Sequence, residues 1–185
     1  MDVQDLTGIP GVIDALVSEL GGIDLFVISA GIGEENRALD FSIENEVVKT
    51  NVQGFTCLAD HAMDLFRKQG HGHLVNISSV AGLRGNRVAP SYNASKAYQI
   101  KYLEGLHLLV DRKRLPVQVT DVRPGFVKTD MAKGKGMFWV APVEKAAKQI
   151  FDAIKRRKKV VYVTKRWWLI GVLYKSLPYV LLKRL

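Results

Sequence analysis

Four side chains in this sequence have the types and the spacing for acid–base chemistry at an oxygen atom. Tyr92 and Lys96 stand four residues apart in the run YNASK, one helical turn, so their side chains share a face. A tyrosine hydroxyl titrates near about 10 and is a poor base at neutral pH. A neighbouring ammonium favours the phenolate and lowers that value. Such a pair can give a proton to a carbonyl oxygen or take one from an alcohol. On its own the pair is weak, because a Tyr and a Lys at this spacing occur by chance in many helices. Ser79 strengthens it. This residue follows the apolar run 73–78 (HLVNIS), where a strand end lifts a hydroxyl into a crevice and lets it bond a substrate oxygen as charge develops. Its neighbour Ser78 is the better candidate for satisfying local backbone. Asn51 lies in KTNVQG, inside a long apolar helical stretch where asparagine is a poor helix former. Either its side chain bonds its own helix backbone, or it opens a water site beside the tyrosine.

These residues need a scaffold, and the hydrophobic pattern supplies one. Ile9, Val12, Ile13, Leu16, Val17 and Leu20 recur at helical spacing over 8–20, and Gly21-Gly22 ends the run. Residues 23–30 (IDLFVISA) read as a strand buried on both faces. Residues 42–69 read as one long helix with Ser42 as its N-cap. A strand over 73–78, a helix over 92–113 and a strand over 116–122 follow. A loop then runs from Pro124-Gly125 past Gly134 and Gly136, before a helix over 142–157 and a strand over 160–164. Strands alternating with helices of this length imply right-handed crossovers and a parallel sheet. Such sheets bind ligands at the carboxyl ends of their strands, here Ala30-Gly31, Ser78-Ser79 and Pro124-Gly125.

In this order Asn51, Ser79, Tyr92 and Lys96, within the words NISSVAG, YNASKA and RPGFVKTDM, resemble the tetrad of the short-chain dehydrogenase/reductase family. The resemblance covers nearly the whole chain. It implies an oxidoreductase that moves a hydride between a nicotinamide dinucleotide (NAD or NADP, NADP slightly favoured) and an alcohol or carbonyl. Tyr92 would carry the proton, and Lys96 would lower the tyrosine pKa and hold the nicotinamide ribose. Ser79 would orient the substrate oxygen, and Asn51 would anchor a relaying water. The family's cofactor contacts map onto Asp2 and Val3 at the adenine, and onto Ala30 and Gly31 after the first strand. Tyr92 and Lys96 take the ribose; Pro124, Gly125, Val127 and Thr129 close over the nicotinamide, with the Val127 main chain at its carboxamide. No metal is implied.

Two departures stand out. Ser29 replaces the asparagine of the family's Asn-Ala-Gly word. More seriously, the glycine-rich turn that cradles the pyrophosphate is absent. The expected fold is therefore α/β: a Rossmann-like parallel sheet with flanking helices, lacking the family's first three strands and its phosphate loop. Truncation relative to a functional parent is the favoured reading. Pairing of the apolar edge Leu25, Phe26, Val27 and Ile28 with another copy is the other.

The formal net charge is +9, concentrated in Lys155, Arg156, Arg157, Lys158 and Lys159, with Lys165, Arg166, Lys183 and Arg184 behind them. That charge suits an anionic ligand, a nucleic acid or an anionic membrane surface. Without zinc-ligand spacing or a basic stripe interleaved with aromatics, nucleic acid is not expected. Part of the run complements a helix dipole. The single cysteine, Cys57, excludes an internal disulfide and fits a reducing, cytoplasmic setting. Residues 1–164 read as the catalytic part of the domain, and 165–185 as a separate apolar and basic segment. Lys175 and Pro178 interrupt that segment too often for a membrane span. It reads as an interfacial helix giving peripheral membrane contact, or as a cover over the cleft or a subunit neighbour, and it marks the substrate as apolar. The resemblance also implies a homo-oligomer, formed through the helices 42–69 and 92–113. The rival function is a catalytically inactive fragment that binds a membrane or a partner.

Overall fold

In a computed structural model that describes residues 1–129, 131, 137–176, 178 and 180, the chain folds around a four-stranded parallel sheet. The strands are β1 (Leu25–Ile28), β2 (Gly72–Ile77), β3 (Val117–Pro124) and β4 (Val160–Val163), adjacent in chain order. The helices are α1 (Gly8–Leu20), α2 (Phe41–Val48), α3 (Phe55–Gln69), α4 (Pro90–Lys113), α5 (Val143–Lys155) and α6 (Trp167–Ser176). Side chains alternate across the strands. Leu74 and Val119 therefore join Ile9, Ile13, Phe55, Phe66 and Leu103 in one core, under α1, α3 and α4. Val75, Val122 and Val163 join Ala146 in a second core under α5. The three-layer Rossmann-like arrangement expected from the sequence is the one observed.

The differences have local causes. The strand expected from Ile23 begins only at Leu25, because the Gln69 amide caps the Ile23 backbone, accepting from its N–H at 3.2 Å and donating to its carbonyl at 2.8 Å. The N-cap of α2 is Asp40 rather than Ser42; its carboxylate accepts from the Ser42 amide at 2.8 Å. The helix expected to run unbroken over 42–69 contains a π-helical segment, Lys49–Gly54, between α2 and α3. Asn51 sits inside it, and an inserted residue of this kind is characteristic of functional positions. The α3 helix ends at Gly70, whose φ of 83° any side chain would strain.

At the sheet edge, Leu25 and Val27 are 45% and 44% exposed, whereas Ile28 is in the core. The apolar edge is thus shorter than the sequence implied. Cys57 is half-buried against the first core, and burial pushes its thiol pKa up. Gly134, Gly136, Lys183 and Arg184 lie outside the described residues.

Candidate active site

The carboxyl ends of β2 and β3, the π segment and the first turns of α4 converge on one spot. Pro90 opens α4 at the position where a missing N–H costs nothing, and this sets Tyr92 and Lys96 on the face turned to the sheet. At the end of β2, Ser78 bonds across to β3, and it is Ser79 that caps the local turn Val80–Leu83, the reverse of the division the sequence suggested for backbone bonding. Ser78 is buried and donates to Asp121 Oδ1 at 2.5 Å and to the Val122 carbonyl at 3.0 Å. Ser79 accepts from the Ala81 amide at 3.1 Å, donates to the Pro124 carbonyl at 3.4 Å and lies close enough to the Tyr92 hydroxyl to influence it.

The electrostatics differ from expectation in one respect. Burial pushes the Tyr92 hydroxyl up, and the opposing pull comes from Ser79. Lys96, only 5% exposed, lies 6.0 Å from the centre of the Tyr92 ring. It donates to the Ile77 carbonyl at 3.0 Å and to Gln99 Oε1 at 3.1 Å. Burial draws its pKa down to about 8, with Asp121 pushing back. Burial, rather than the lysine, has the larger influence on the Tyr92 hydroxyl here.

Asn51 is fully buried, and its side chain bonds outside its own helix. Its carboxamide clamps Ile32, accepting from the amide at 2.8 Å and donating to the carbonyl at 2.7 Å, and donates to Ser95 Oγ at 3.0 Å. The clamp holds the loop after β1 over the site. A Cβ at Gly31 would stand 3.2 Å from Lys96 Nζ and 3.4 Å from Asn51 Oδ1, and one at Gly33 would strike the Tyr92 ring.

Several residues that shape the site escaped the sequence reading. Gln99 is fully buried and ties the site together. Its Oε1 receives Lys96 and, at 3.3 Å, Asn76, and its Nε2 donates to the Asn51 carbonyl at 2.9 Å. The available signal was a polar residue on the Tyr92–Lys96 face, seven after the tyrosine. Asp121, 1% exposed, accepts from Ser78 and from Arg123 Nε at 2.6 Å, while Arg123 donates to the Tyr162 hydroxyl at 3.1 Å. An aspartate inside an apolar strand was its signal. A side chain at Gly82 would overlap the α4 backbone at Lys96, so this glycine lets the turn after Ser79 press on the helix.

The expected cofactor residues fall into two groups. Ala30 and Gly31 lie beside Lys96 and Asn51, and the Pro124 carbonyl accepts from Ser79 at 3.4 Å. Gly125 packs against the Trp167 ring. Val127 pairs with Ala141 as an isolated bridge, and the exposed Thr129 donates its amide to the Val127 carbonyl at 2.8 Å. Asp2 and Val3 are elsewhere. Asp2 is exposed and accepts from the Gln4 amide, and Val3 packs on Gly54 at the far end of the π segment. Ala30, Gly31 and Pro124 therefore gather beside Lys96, Asn51 and Ser79, whereas Asp2 and Val3 lie apart from them.

Residues 1–137 match the short chain dehydrogenase family, and the chain belongs to it. An uncharacterized oxidoreductase of Mycobacterium tuberculosis is 33% identical over 172 residues, covering 91% of this chain and 66% of that protein. The 3-oxoacyl-acyl-carrier-protein reductase FabG of Escherichia coli is 32% identical over 135 residues, covering 72% of this chain and 54% of the enzyme. The chain thus spans just under two thirds of the first of these relatives and about half of the second. Among solved structures, a short chain dehydrogenase from Burkholderia cenocepacia in complex with NADP superposes with a TM-score of 0.83 at 20% identity, covering all of this chain and 78% of that one. A Burkholderia phymatum relative in complex with NAD gives 0.81 at 19%, covering 94% and 72%. At these identities the structures speak for the fold.

Proposed function

We propose that this chain carries the catalytic machinery of a nicotinamide-dependent oxidoreductase acting on an apolar alcohol or carbonyl. The observation that supports it most directly is the gathering of Ser79, Tyr92 and a buried Lys96, its Nζ 6.0 Å from the Tyr92 ring, at the carboxyl end of a parallel sheet. Tyr92, held as a phenol by burial, gives its proton to a carbonyl oxygen in reduction and takes one back in oxidation. Ser79 donates to the same oxygen as its charge grows. Lys96 spends two of its three donors on Ile77 and Gln99, and the third is suited to a ribose hydroxyl. Asn51 acts through the Ile32 clamp, fixing Ala30 and Gly31 where the ring and ribose would lie. The dinucleotide, NADP or NAD, would supply the hydride. Pro124, Gly125, Val127 and Thr129 are the residues proposed to meet its carboxamide, and Asp2 and Val3 its adenine.

Residues 1–164 form the catalytic unit in this reading, and the segment 165–185 is a separate one, read as an interfacial helix giving peripheral membrane contact or as a cover over the cleft or a subunit neighbour. A homo-oligomer through α2–α3 and α4 is supported by the exposed Phe41, Tyr98 and Leu108. Energy transfer from the tryptophans during NADPH and NADH titration tests the reading, followed by turnover of apolar ketones. Saturable micromolar binding is expected, with Tyr92→Phe binding equally but turning over about 100- to 10,000-fold more slowly. Absence of binding at millimolar cofactor would refute activity in this chain.

A further inference from the structure

The last helix, α6, is apolar on two sides. One side is used by the fold: Trp167 is buried against Gly125, and Gly171 sits where a Cβ would touch Leu83 and Tyr162 at 3.0 Å. The other carries Trp168, Leu169, Val172 and Leu173, spaced as one stripe and 51–59% exposed. Surface helices normally turn charge outward, so an outward apolar stripe marks a contact surface.

The charge beside it identifies the partner. Of the chain's 27 basic and 18 acidic residues, ten basic and no acidic ones lie in 153–185. The preceding 152 residues are close to neutral, and the whole excess of positive charge belongs to this end. An open cavity of about 750 Å³ beside β4 is lined by Lys145, Arg156, Lys158, Lys165 and Arg166, and by Trp168 from the apolar stripe. Asp152 also lines it and pairs with Lys148 at 3.5 Å. Cations and exposed tryptophan and leucine are therefore contiguous, the composition of a helix that lies in the headgroup region of a membrane.

We propose that α6 and the cationic surface next to it form a docking face for a bilayer containing anionic phospholipid. A second copy fits less well, because a two-fold contact would set this face against its own positive charge. No described helix is long and apolar enough to cross a membrane, and the proposed contact is made through one face of α6. The docked orientation has a chemical consequence, which rests on the oxidoreductase reading. Through Leu83 and Gly125, α6 packs on the two loops that leave Ser79 and Pro124, and Arg84 Nε fixes it by donating to the Tyr174 carbonyl at 2.6 Å. The mouth of the site thus opens beside the bilayer, and its substrate class is an amphiphile whose carbonyl or hydroxyl is presented from the lipid.

The test is flotation of the full chain with phosphatidylcholine vesicles, with and without phosphatidylglycerol. The chain should float with the anionic vesicles alone and be released by high salt. Leu169→Asp/Leu173→Asp and Arg156→Glu/Lys158→Glu should each weaken binding roughly tenfold or more, with far-UV circular dichroism unchanged. A wild-type chain that stays in solution, or that floats equally with neutral vesicles, overturns the proposal. If it stays in solution as a dimer that Leu169→Asp/Leu173→Asp dissociates, the face belongs to a second copy. Flotation needs neither cofactor nor substrate, so an inactive chain that floats would remove only the oxidoreductase reading.

Discussion

Two ends of this sheet are built on opposite principles. Around Lys96 the interior is polar and its groups are partnered: Asn51, Asn76, Gln99, Ser78, Asp121 and Arg123 all hydrogen-bond within a few ångströms of one another. Around Trp167 the interior is aromatic. Phe126, Phe138 and Trp139 stack on it edge-on or tilted at 5.1–6.0 Å, and the buried Trp167 Nε1 and Thr164 Oγ1 have no partner among the described residues. Directional bonds fix atoms to tenths of an ångström, which proton transfer requires. Aromatic packing is less directional and tolerates a neighbour of varied shape, which suits an apolar cover over a cleft. Geometry for chemistry and surface for contact are thus kept in separate materials.

The sharpest way to break this contrast is to remove a charge from the polar end. Asp121→Ala should destabilise the chain by about 3–5 kcal/mol, because it leaves the Arg123 guanidinium buried without its partner. Urea denaturation measures this. Asp121→Ala/Arg123→Met should recover much of the loss, since an apolar replacement of a buried pair is often close to neutral. A double variant as unstable as the single one would show that Ser78 and Tyr162, not charge balance, carry the effect.

The lysine offers a pH-dependent test. Its folded pKa of about 8 lies below the ordinary 10.5, so folding favours the neutral amine. Above pH 8 the unfolded chain holds a proton that the folded chain has released. Stability should therefore rise from pH 8 towards pH 10, approaching on the order of 3 kcal/mol, and the penalty is fully present below pH 8. The urea midpoint should follow that slope, and Lys96→Met should flatten it. A midpoint equally flat in the unaltered chain would mean that Lys96 is better hydrated than its burial implies. Gln99→Leu comes next in size. It strips partners from Lys96, Asn76 and the Asn51 carbonyl, and should cost roughly 2 kcal/mol. The Lys96 titration, followed by NMR of the ε-carbon, should move further down.

How much of this was legible follows from the range of each interaction. Local signals gave α1 to its terminal residues and placed every strand within about two positions, because periodicity and glycines are read along the chain. That Tyr92 and Lys96 share one face of α4 was legible from helical spacing. The π segment was not, since Lys49–Gly54 is held by partners distant in sequence: Gln99 on the Asn51 carbonyl, Ile32 on its side chain, and Gln4 on Thr50. The cap at Asp40 was missed for a narrower reason. Asp40 and Ser42 are both good caps, and the Asn36 side chain, whose Nδ2 donates to the Asp40 carbonyl at 2.8 Å, selects the earlier one. The pKa direction of Tyr92 needed burial, which no spacing reports.

The smallest expected effect tests the aromatic end. Trp167→Phe removes a buried N–H that has no acceptor among the described residues, together with part of a ring that packs on Gly125. The lost contact is destabilising, and the lost desolvation cost of the N–H is favourable. The two should nearly cancel, leaving a change below about 1.5 kcal/mol. The polar network lies on β2, β3 and α4, so the Lys96 titration should not move with this substitution. If it does move, the aromatic cover and the acid–base network are one cooperative unit, and docking of α6 would then reach the catalytic groups through Gly125 and Pro124.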